Sequence, residues 1–495
     1  MWKTLILLLS ATGYLAGILC SDIEIVELYQ DSSSSFYYSQ CDTLTDDTAS
    51  NCNGDHEYYE DCNSTDVEDN LCVTGCRCEN NYARDEEGNC CPIEQTTDTT
   101  TTTETTTVSS PPNVDSDEAL KNIWEGNANF SLNFMKFKIA EKPGESFIAS
   151  PFSVLIPLGE LGLYAIDDTF YQLANVINVY DKDEIRQGFR RLLDDLKSPK
   201  NVTLSLAQKV FGNIQFKFNK NFEYDTKVYF DAKAENLDFS QSTKAAKTIN
   251  DWVKEQTRGL IPDLVDPSTL DALTRLVLVN AIYYKGDWLR PFDPKNTQKK
   301  DFYITKDKKG TVNMMYQKGT FKYGENPALQ IKALQLFYKD SDYSLLCLLP
   351  TSSESYSLEG VAQKILDPKS LQTIIDGLSY EEVKVYLPSI EISTSTDLIK
   401  VLKSVNITDA FNPQRSKFSG ILENEQPLSI SAAIQKAVII INELGSQAAA
   451  ANAIIISRSA AVRPIYTKLF EANRSFFYFI LYKKYIVFCG TFNGA

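Results

Sequence analysis

The chain is almost without histidine. Its 495 residues hold one, His56. Hydrolases built on Ser-His-Asp or Cys-His need an imidazole to move the proton. Everything after residue 56 therefore lacks the means for those chemistries, and zinc sites built on histidine are excluded with them. His56 reads as a surface residue of a small module rather than a ligand. No P-loop or dinucleotide-binding glycine pattern occurs. Counting alone does not exclude carboxylate-pair chemistry, but no feature supports it. No cofactor is expected.

Basic residues are scarce in one region. From Asp22 to Asp115 there are 22 acidic residues against Arg77 and Arg84, while Ser116 to Ala495 carries 46 basic and 43 acidic residues. The net charge of −16 thus belongs to the N-terminal part. It argues against nucleic acid and anionic membranes as partners; solubility accounts for it better than a specific basic partner. Long apolar runs are absent after the first 20 residues, so no later segment is expected to span a membrane. Met1 to Cys20, with Lys3 as its only positive charge and the apolar run Leu5 to Leu9, reads as a signal peptide cut after Cys20. A membrane anchor is the competing reading, disfavoured by the single charge and short apolar core.

Cysteine is nearly missing from the larger part of the chain. Of 11, only Cys347 and Cys489 lie beyond residue 91, and both read as small buried hydrophobes in strands. Eight are packed into the segment Cys41, Cys52, Cys62, Cys72, Cys76, Cys78, Cys90 and Cys91. An even, dense cluster in an exported chain reads as disulfides, with connectivity open. Sequons at Asn63, Asn129, Asn201, Asn406 and Asn473 are glycosylation candidates.

These features divide the chain into a leader (1–20), a polar acidic segment (21–40), a cysteine-rich module (41–95), a Thr/Pro-rich linker (96–115) and a large domain (116–495). The Thr-rich run cannot build a core and reads as an extended, O-glycosylated arm. In the large domain, apolar spacing predicts helices over 127–139 and over 244–255, the latter with Trp252 as its largest anchor. Apolar β-branched or aromatic runs predict buried strands over 276–284, 344–349, 435–441 and 476–488. The class is α+β.

One segment departs from ordinary core composition. The strand ending at Ile441 is followed by Asn442, Glu443, Leu444, Gly445, Ser446 and Gln447, then by Ala448, Ala449, Ala450 and Ala451, and later by Ser457, Arg458, Ser459 and Ala460. An alanine run can be a helix. It is short, however, follows a glycine and leads into isoleucines, so it also suits an added strand. In that strand Ser446, Ala448, Ala450 and Asn452 would share one face. Small side chains enter a crowded interior with little entropy loss.

This segment resembles the hinge of the serpin family, in which an acidic pair, glycine and threonine precede small residues. Phe147 to Val154 (FIASPFSV), Asn250 to Val265 (NDWVKEQTRGLIPDLV), Asn280 to Pro291 (NAIYYKGDWLRP), Ser475 to Ile480 and Val487 to Gly490 resemble further family landmarks, in order and spacing, over about residues 116 to 495. The resemblance implies three β-sheets with surrounding helices and an exposed reactive loop. It implies a monomeric, secreted suicide substrate, not an enzyme, whose partner is a serine protease held as a covalent acyl complex. Glu443, Gly445, Ser446 and the four alanines correspond to the hinge. Ser150, Ser153, Asn250 and Gln435 correspond to the family's shutter, Gln435 standing where histidine is usual. Leu444 departs from the acidic pattern. Counting from Glu443 puts the cut at Ser459–Ala460, or at Arg458–Ser459 for a loop one residue shorter; Arg458 favours the latter and a trypsin-like target. A non-inhibitory carrier, storage or matrix protein of the same fold is the competing function, and the small-residue hinge is the feature that argues against it.

The cysteine-rich segment resembles the trypsin-inhibitor-like family. Four of that family's cysteine positions are missing, and Cys41 and Cys91 are extra. The resemblance implies Cys52–Cys76, Cys62–Cys72 and Cys78–Cys90, with Cys41–Cys91 remaining. The stretch matching the inhibitory loop, Asp66 to Leu71, is acidic and unlike a protease bait, so the module is expected to bind or space rather than inhibit.

Overall fold

A computed structural model describes residues 115–196, 202–351, 358–424, 426–445 and 467–494, together with the backbone of short strand pairs between residues 15 and 92. The chain divides into two compact units, 1–108 and 109–495. In the first, Glu57–Tyr59 pairs with Cys76–Cys78 and Tyr82–Arg84 with Cys90–Pro92, all antiparallel. Apart from the strand Leu15–Ala16, the leader lies outside the described residues, as do His56, the sequons at Asn63 and Asn201 and the pairing of the eight cysteines.

The second unit opens with helix α1 (Ser116–Glu141), capped by Asp115, whose carboxylate accepts the backbone N–H groups of Asp117 and Glu118. That satisfies two donors a helix start leaves free, and the two acidic residues suit the positive end of the dipole. Strand β1 (Phe147–Ala149) and helices α2 (Pro151–Gly162), α3 (Asp167–Ile177) and α4 (Lys182–Leu196) follow. Then come β2 (Val202–Asn213), α5 (Lys220–Phe230), β3 (Ala234–Leu237), α6 (Ser242–Gln256) and β4 (Leu276–Gly286). Strands β5 (Gln298–Tyr303), β6 (Lys309–Asn326), β7 (Ile331–Phe337) and β8 (Tyr343–Pro350) precede α7 (Glu359–Ile365) and α8 (Pro368–Asp376). The unit closes with β9 (Ser379–Pro388), β10 (Ile390–Asp397), α9 (Leu398–Ser404), β11 (Ile430–Ile441), β12 (Lys468–Glu471), β13 (Phe476–Tyr482) and β14 (Tyr485–Phe492).

Three sheets were implied; among the described residues of this unit the strands form two. One has five strands in the order β10-β11-β4-β2-β3. The other runs β12-β9-β6-β7-β8-β13-β14-β1, with β5 also on β6. The reason is β6. Its 18 residues pair with β5 and β9 over the first part and with β7 at the end, so one strand carries two layers. The expected single run over 476–488 is also two strands, β13 and β14, because the chain reverses at Lys483, which has φ +54°.

The five-stranded sheet is covered on both faces, and β4 shows how. Val277, Val279, Ala281 and Tyr283 pack in a cluster with Ala245, Ala246, Ile249 and Val253 of α6; Leu276, Leu278, Ile282 and Tyr284 join the main core. Period-two alternation sends the two series to opposite faces. Both faces are buried, so the strand reads as a continuous apolar run. Trp252 is less of an anchor than expected. It is half-buried at the edge of α6, against Phe211 and beneath the Lys209 amine.

Helix α2 is buried along all 12 residues, which fits its lack of a polar face. Its one charge is Glu160, 2% exposed, accepting a hydrogen bond from the Thr226 hydroxyl at 2.8 Å. Burial pushes this carboxyl up to about 7, against the opposing pull of Thr226. An acid with a raised folded value holds its proton longer in the native state than unfolded. Its stabilising contribution is full below the ordinary value of 4.5 and is lost as pH rises through about 7. The loss is about 3 kcal/mol. Glu160→Gln should flatten this component, so that denaturant midpoints measured from pH 4.5 to 8 fall less steeply than in the parent. Identical slopes would show that Glu160 is not the titrating group.

Candidate functional site

Strands β4 and β11 lie side by side and parallel, paired from Leu276 opposite Ile430, with one register shift after that pair, and then from Val277 opposite Ala432 to Tyr284 opposite Ile439. Along β11, Ala433, Ala437, Ile439 and Ile441 face the main core, and Gln435 falls in the same alternating series. Asn280 has the equivalent place on β4. The register sets Asn280 directly opposite Gln435 and, on its other side, opposite Gln208 of β2, while Gln435 faces Thr396 of β10. A row of four buried polar residues from four strands thus crosses the sheet within an apolar core.

Buried polar groups need partners, and the start of α2 supplies them for the centre of the row. Gln435 Oε1 accepts the Ser150 backbone N–H at 3.0 Å. Gln435 Nε2 donates to Ser150 O and Asn280 Oδ1, both at 2.8 Å, and lies 3.2 Å from Ser153 Oγ. Ser153 Oγ donates to Asn280 Oδ1 at 2.7 Å, and Asn280 Nδ2 donates to Ser153 O at 2.9 Å. Ser150 caps α2 by accepting the Ser153 N–H and donates to Val487 O of β14. The cluster therefore ties α2, β4, β11 and β14 together.

Ser150, Ser153 and Gln435, expected together, do meet here. Asn250 does not. It lies on α6, where Oδ1 accepts the N–H groups of Leu264 and Val265 and Nδ2 donates to Val265 O; the correction places it as the clasp of the loop after α6. Asn280 occupies the place expected for it. Its signal was present in the sequence: one amide inside the apolar run of Leu276 to Tyr284.

The second part of the site is the turn that follows β11, where the expected reactive segment begins. Past Ile441, Asn442 and Gly445 close a turn by exchanging backbone hydrogen bonds at 3.2 Å. Trp288, just beyond β4, donates its backbone N–H to Leu444 O and its indole N–H to Asn442 O. Phe292 N–H donates to Glu443 O, and the Thr297 hydroxyl donates to Glu443 Oε1 at 2.6 Å. Trp288 is itself buried, stacked on Tyr338 at 4.4 Å. Gly445 has φ +109°, and a Cβ there would lie 2.2 Å from Gly286 O. Position 445 needs glycine for both conformation and space. Trp288, Phe292 and Thr297 were not singled out from sequence, because their role depends on two segments some 150 residues apart meeting in space.

Described backbone stops at Gly445 and resumes at Thr467. Ser446, Ala448 to Ala451, and both candidate bonds, Arg458–Ser459 and Ser459–Ala460, lie outside the described residues. The resumed chain forms β12, parallel to β9 at the edge of the larger sheet. Two places are thereby fixed: the segment leaves where β4 and β11 end and returns to a different sheet.

A family model described as Serpin (serine protease inhibitor) matches residues 125–494. The chain belongs to the serpin family. Antitrypsin of Bombyx mori is 40% identical over 373 residues, covering 75% of this serpin and 93% of that protein. Antichymotrypsin-2 of the same species is 39% identical over 376 residues, covering 76% and 98%. The solved structure of Serpin48, a highly specific serpin of the insect Tenebrio molitor, matches with a TM-score of 0.68 at 30% identity, over 76% of this chain and 98% of that one. Serpins inhibit proteases rather than catalyse.

Cys347 and Cys489 are free and fully buried, and burial pushes both thiols well above their ordinary value. Among the described residues, no helix is long and apolar enough to cross a membrane.

Replacing Gln435 with leucine would leave the Ser150 N–H and carbonyl without this partner. Each buried polar group so orphaned costs about 1–3 kcal/mol. Gln435→Leu should lower unfolding stability by roughly 3 kcal/mol, read from denaturant midpoints. Gln435→His keeps one donor and one acceptor and should lose less. Equal stability of the leucine variant and the parent would remove the cluster from its structural role.

Proposed function

We propose that this serpin is an exported suicide inhibitor of a trypsin-like serine protease, monomeric before it reacts and covalently joined to its target afterwards. The observation that carries the reading is the β4–β11 seam with the reactive segment rooted at its end. A strand that leaves β11 by a turn and folds back along it runs antiparallel to β11. Because β4 is parallel to β11, the same strand is antiparallel to β4 too. Insertion would replace one parallel ladder with two antiparallel ones, and antiparallel pairing is slightly the more stable per residue.

Length supports the same reading. Residues 446–457 are 12 in number, as are those of β11. Fully inserted, they would carry Arg458 about 40 Å, toward the far end of the seam. The residues that would face the core, Ser446, Ala448, Ala450, Asn452, Ile454 and Ile456, are small or uncharged.

The chemistry is that of an interrupted proteolysis. The protease serine oxygen attacks the Arg458 carbonyl. The Arg458–Ser459 bond breaks, Ser459 leaves as an amine that takes a proton from the protease's histidine, and an ester joins Arg458 to the protease. Insertion then draws the ester away from the groups that would hydrolyse it. Arg458 suits a pocket with a buried acid. Relatives with trypsin and chymotrypsin in their names are nearly equally similar to this chain, so overall likeness does not choose the target and the residue before the cut does. The N-terminal leader, the disulfide pairs and the acidic module belong to this proposal as export, stabilisation and placement.

Mixing the protein with trypsin should give a complex that survives a denaturing gel, together with a released peptide beginning at Ser459. Arg458→Ala should abolish the trypsin complex. Ala450→Glu should leave cleavage intact but lose the complex at least tenfold, because a charge would have to enter the core face. Full cleavage of the parent without any stable complex would sink inhibition in favour of a carrier or matrix role.

A further inference from the structure

Three of the five sequons fall on described residues, and the fold treats them differently. Asn129 lies on the solvent side of α1, and Asn406 follows α9 in the left-handed conformation, φ +68°. Both are exposed, and among the described residues neither side-chain amide has a hydrogen-bond partner. Asn473 is half-buried; its Oδ1 accepts the Arg474 guanidinium, which also bonds Pro350 O, and its backbone carbonyl accepts the Tyr303 N–H.

Asn129 and Asn406 line the same cleft, of about 520 Å³, between α1 and the ends of α3 and α9. That volume lies in the range of small-molecule sites, roughly 300–1,000 Å³. Asn129, Asn133, Lys136 and Phe137 share its α1 wall, at the spacing that puts residues on one helix face. Asn175 contributes from α3. Asparagine is a poor helix former, about 0.6 kcal/mol worse than alanine, and neither Asn129 nor Asn133 repays that by a bond within the fold. A wall of amides, which donate and accept together, beside an aromatic ring suits a ligand of many hydroxyls and an apolar ring face.

We infer that Asn129 and Asn406 carry N-linked oligosaccharides whose first sugars occupy this cleft, and that Asn473 carries none. The inference rests on the reading of the chain as exported. In the modification the asparagine Nδ2 bonds to C1 of a sugar. The C1–O bond to a lipid-linked diphosphate breaks, the diphosphate leaves with the electron pair, and the amide proton passes to a base of the transferring enzyme. Asn406 has a second reason to be asparagine, since it tolerates the left-handed cap; Asn129 has none.

The full chain with its own leader, produced in insect cells and collected from the medium, tests this. Enzymatic deglycosylation in heavy-oxygen water marks each occupied asparagine for peptide mass mapping. Labelling with an amine-reactive ester then reads the cleft through Lys136, with the exposed Lys121 as reference. The expected result is sugar at Asn129 and Asn406, none at Asn473, and Lys136 labelled several-fold faster in Asn129→Gln, with Lys121 unchanged. Sugar at both sites with no change at Lys136 would overturn occupation of the cleft. Export without sugar at either asparagine would overturn the inference alone. Retention inside the cell without sugar would overturn the export reading and this one with it.

Discussion

The side-chain amide of Gln435 bonds at once to the capped start of α2 and to Asn280 across the seam between β4 and β11. Three elements distant in the sequence take their relative positions from it. Each such bond is worth only about 1 kcal/mol net. The constraint is stronger than that sum, because α2 is buried on every side and these polar groups have no route to water. With the centre of the row satisfied, the apolar parts of the sheet above and below Gln435 and Asn280 can pack around it. With it broken, several buried donors and acceptors would be orphaned together.

That arrangement gives the protein a closed seam that is nonetheless conditional. The ladder between β4 and β11 is parallel and spans most of β11, while the turn at Asn442–Gly445 holds the next segment at its end. The two faces of β4 differ in what they meet, helix α6 on one and the main core on the other. Any strand added at the seam would have to fit between these layers and rearrange the bonds of Gln435. The polar cluster and the Trp288 contacts are thus two separate holds on the β4–β11 pair, at its middle and at its end.

Much of this was legible in sequence. The apolar runs over 276–284 and 435–441 announced buried strands, whereas the place of Asn280 in the polar cluster emerged only from the register between them. Gly445 was readable as composition, while the alanines after it lie outside the described residues. What was not legible depended on register and distance. Asn250 looked like a member of the cluster because it stands in a recognisable motif, but its helix faces the other side of the sheet. The aromatic run over 476–488 hid a reversal, since Lys483 and Lys484 give no glycine or asparagine signal for the turn. Trp288 became visible only when the end of β4 met the residues after β11. Two sheets replaced three because nothing in the composition of β6 says where one layer ends and the next begins.

The turn that follows β11 is held largely through its main chain. Trp288 and Phe292 bond to the carbonyls of residues 442, 443 and 444, atoms that every amino acid supplies alike. Two side chains take part as well: Glu443 accepts the Thr297 hydroxyl, and Asn442 Oδ1 accepts the Leu444 N–H. The leucine at 444, which departs from the acidic residue usual in the family, leaves this attachment untouched. Position 444 is therefore free to drift over evolutionary time, whereas 445 is confined to a single residue type. A lineage could therefore change the half-buried side chain at 444 without first having to rebuild the turn that follows β11.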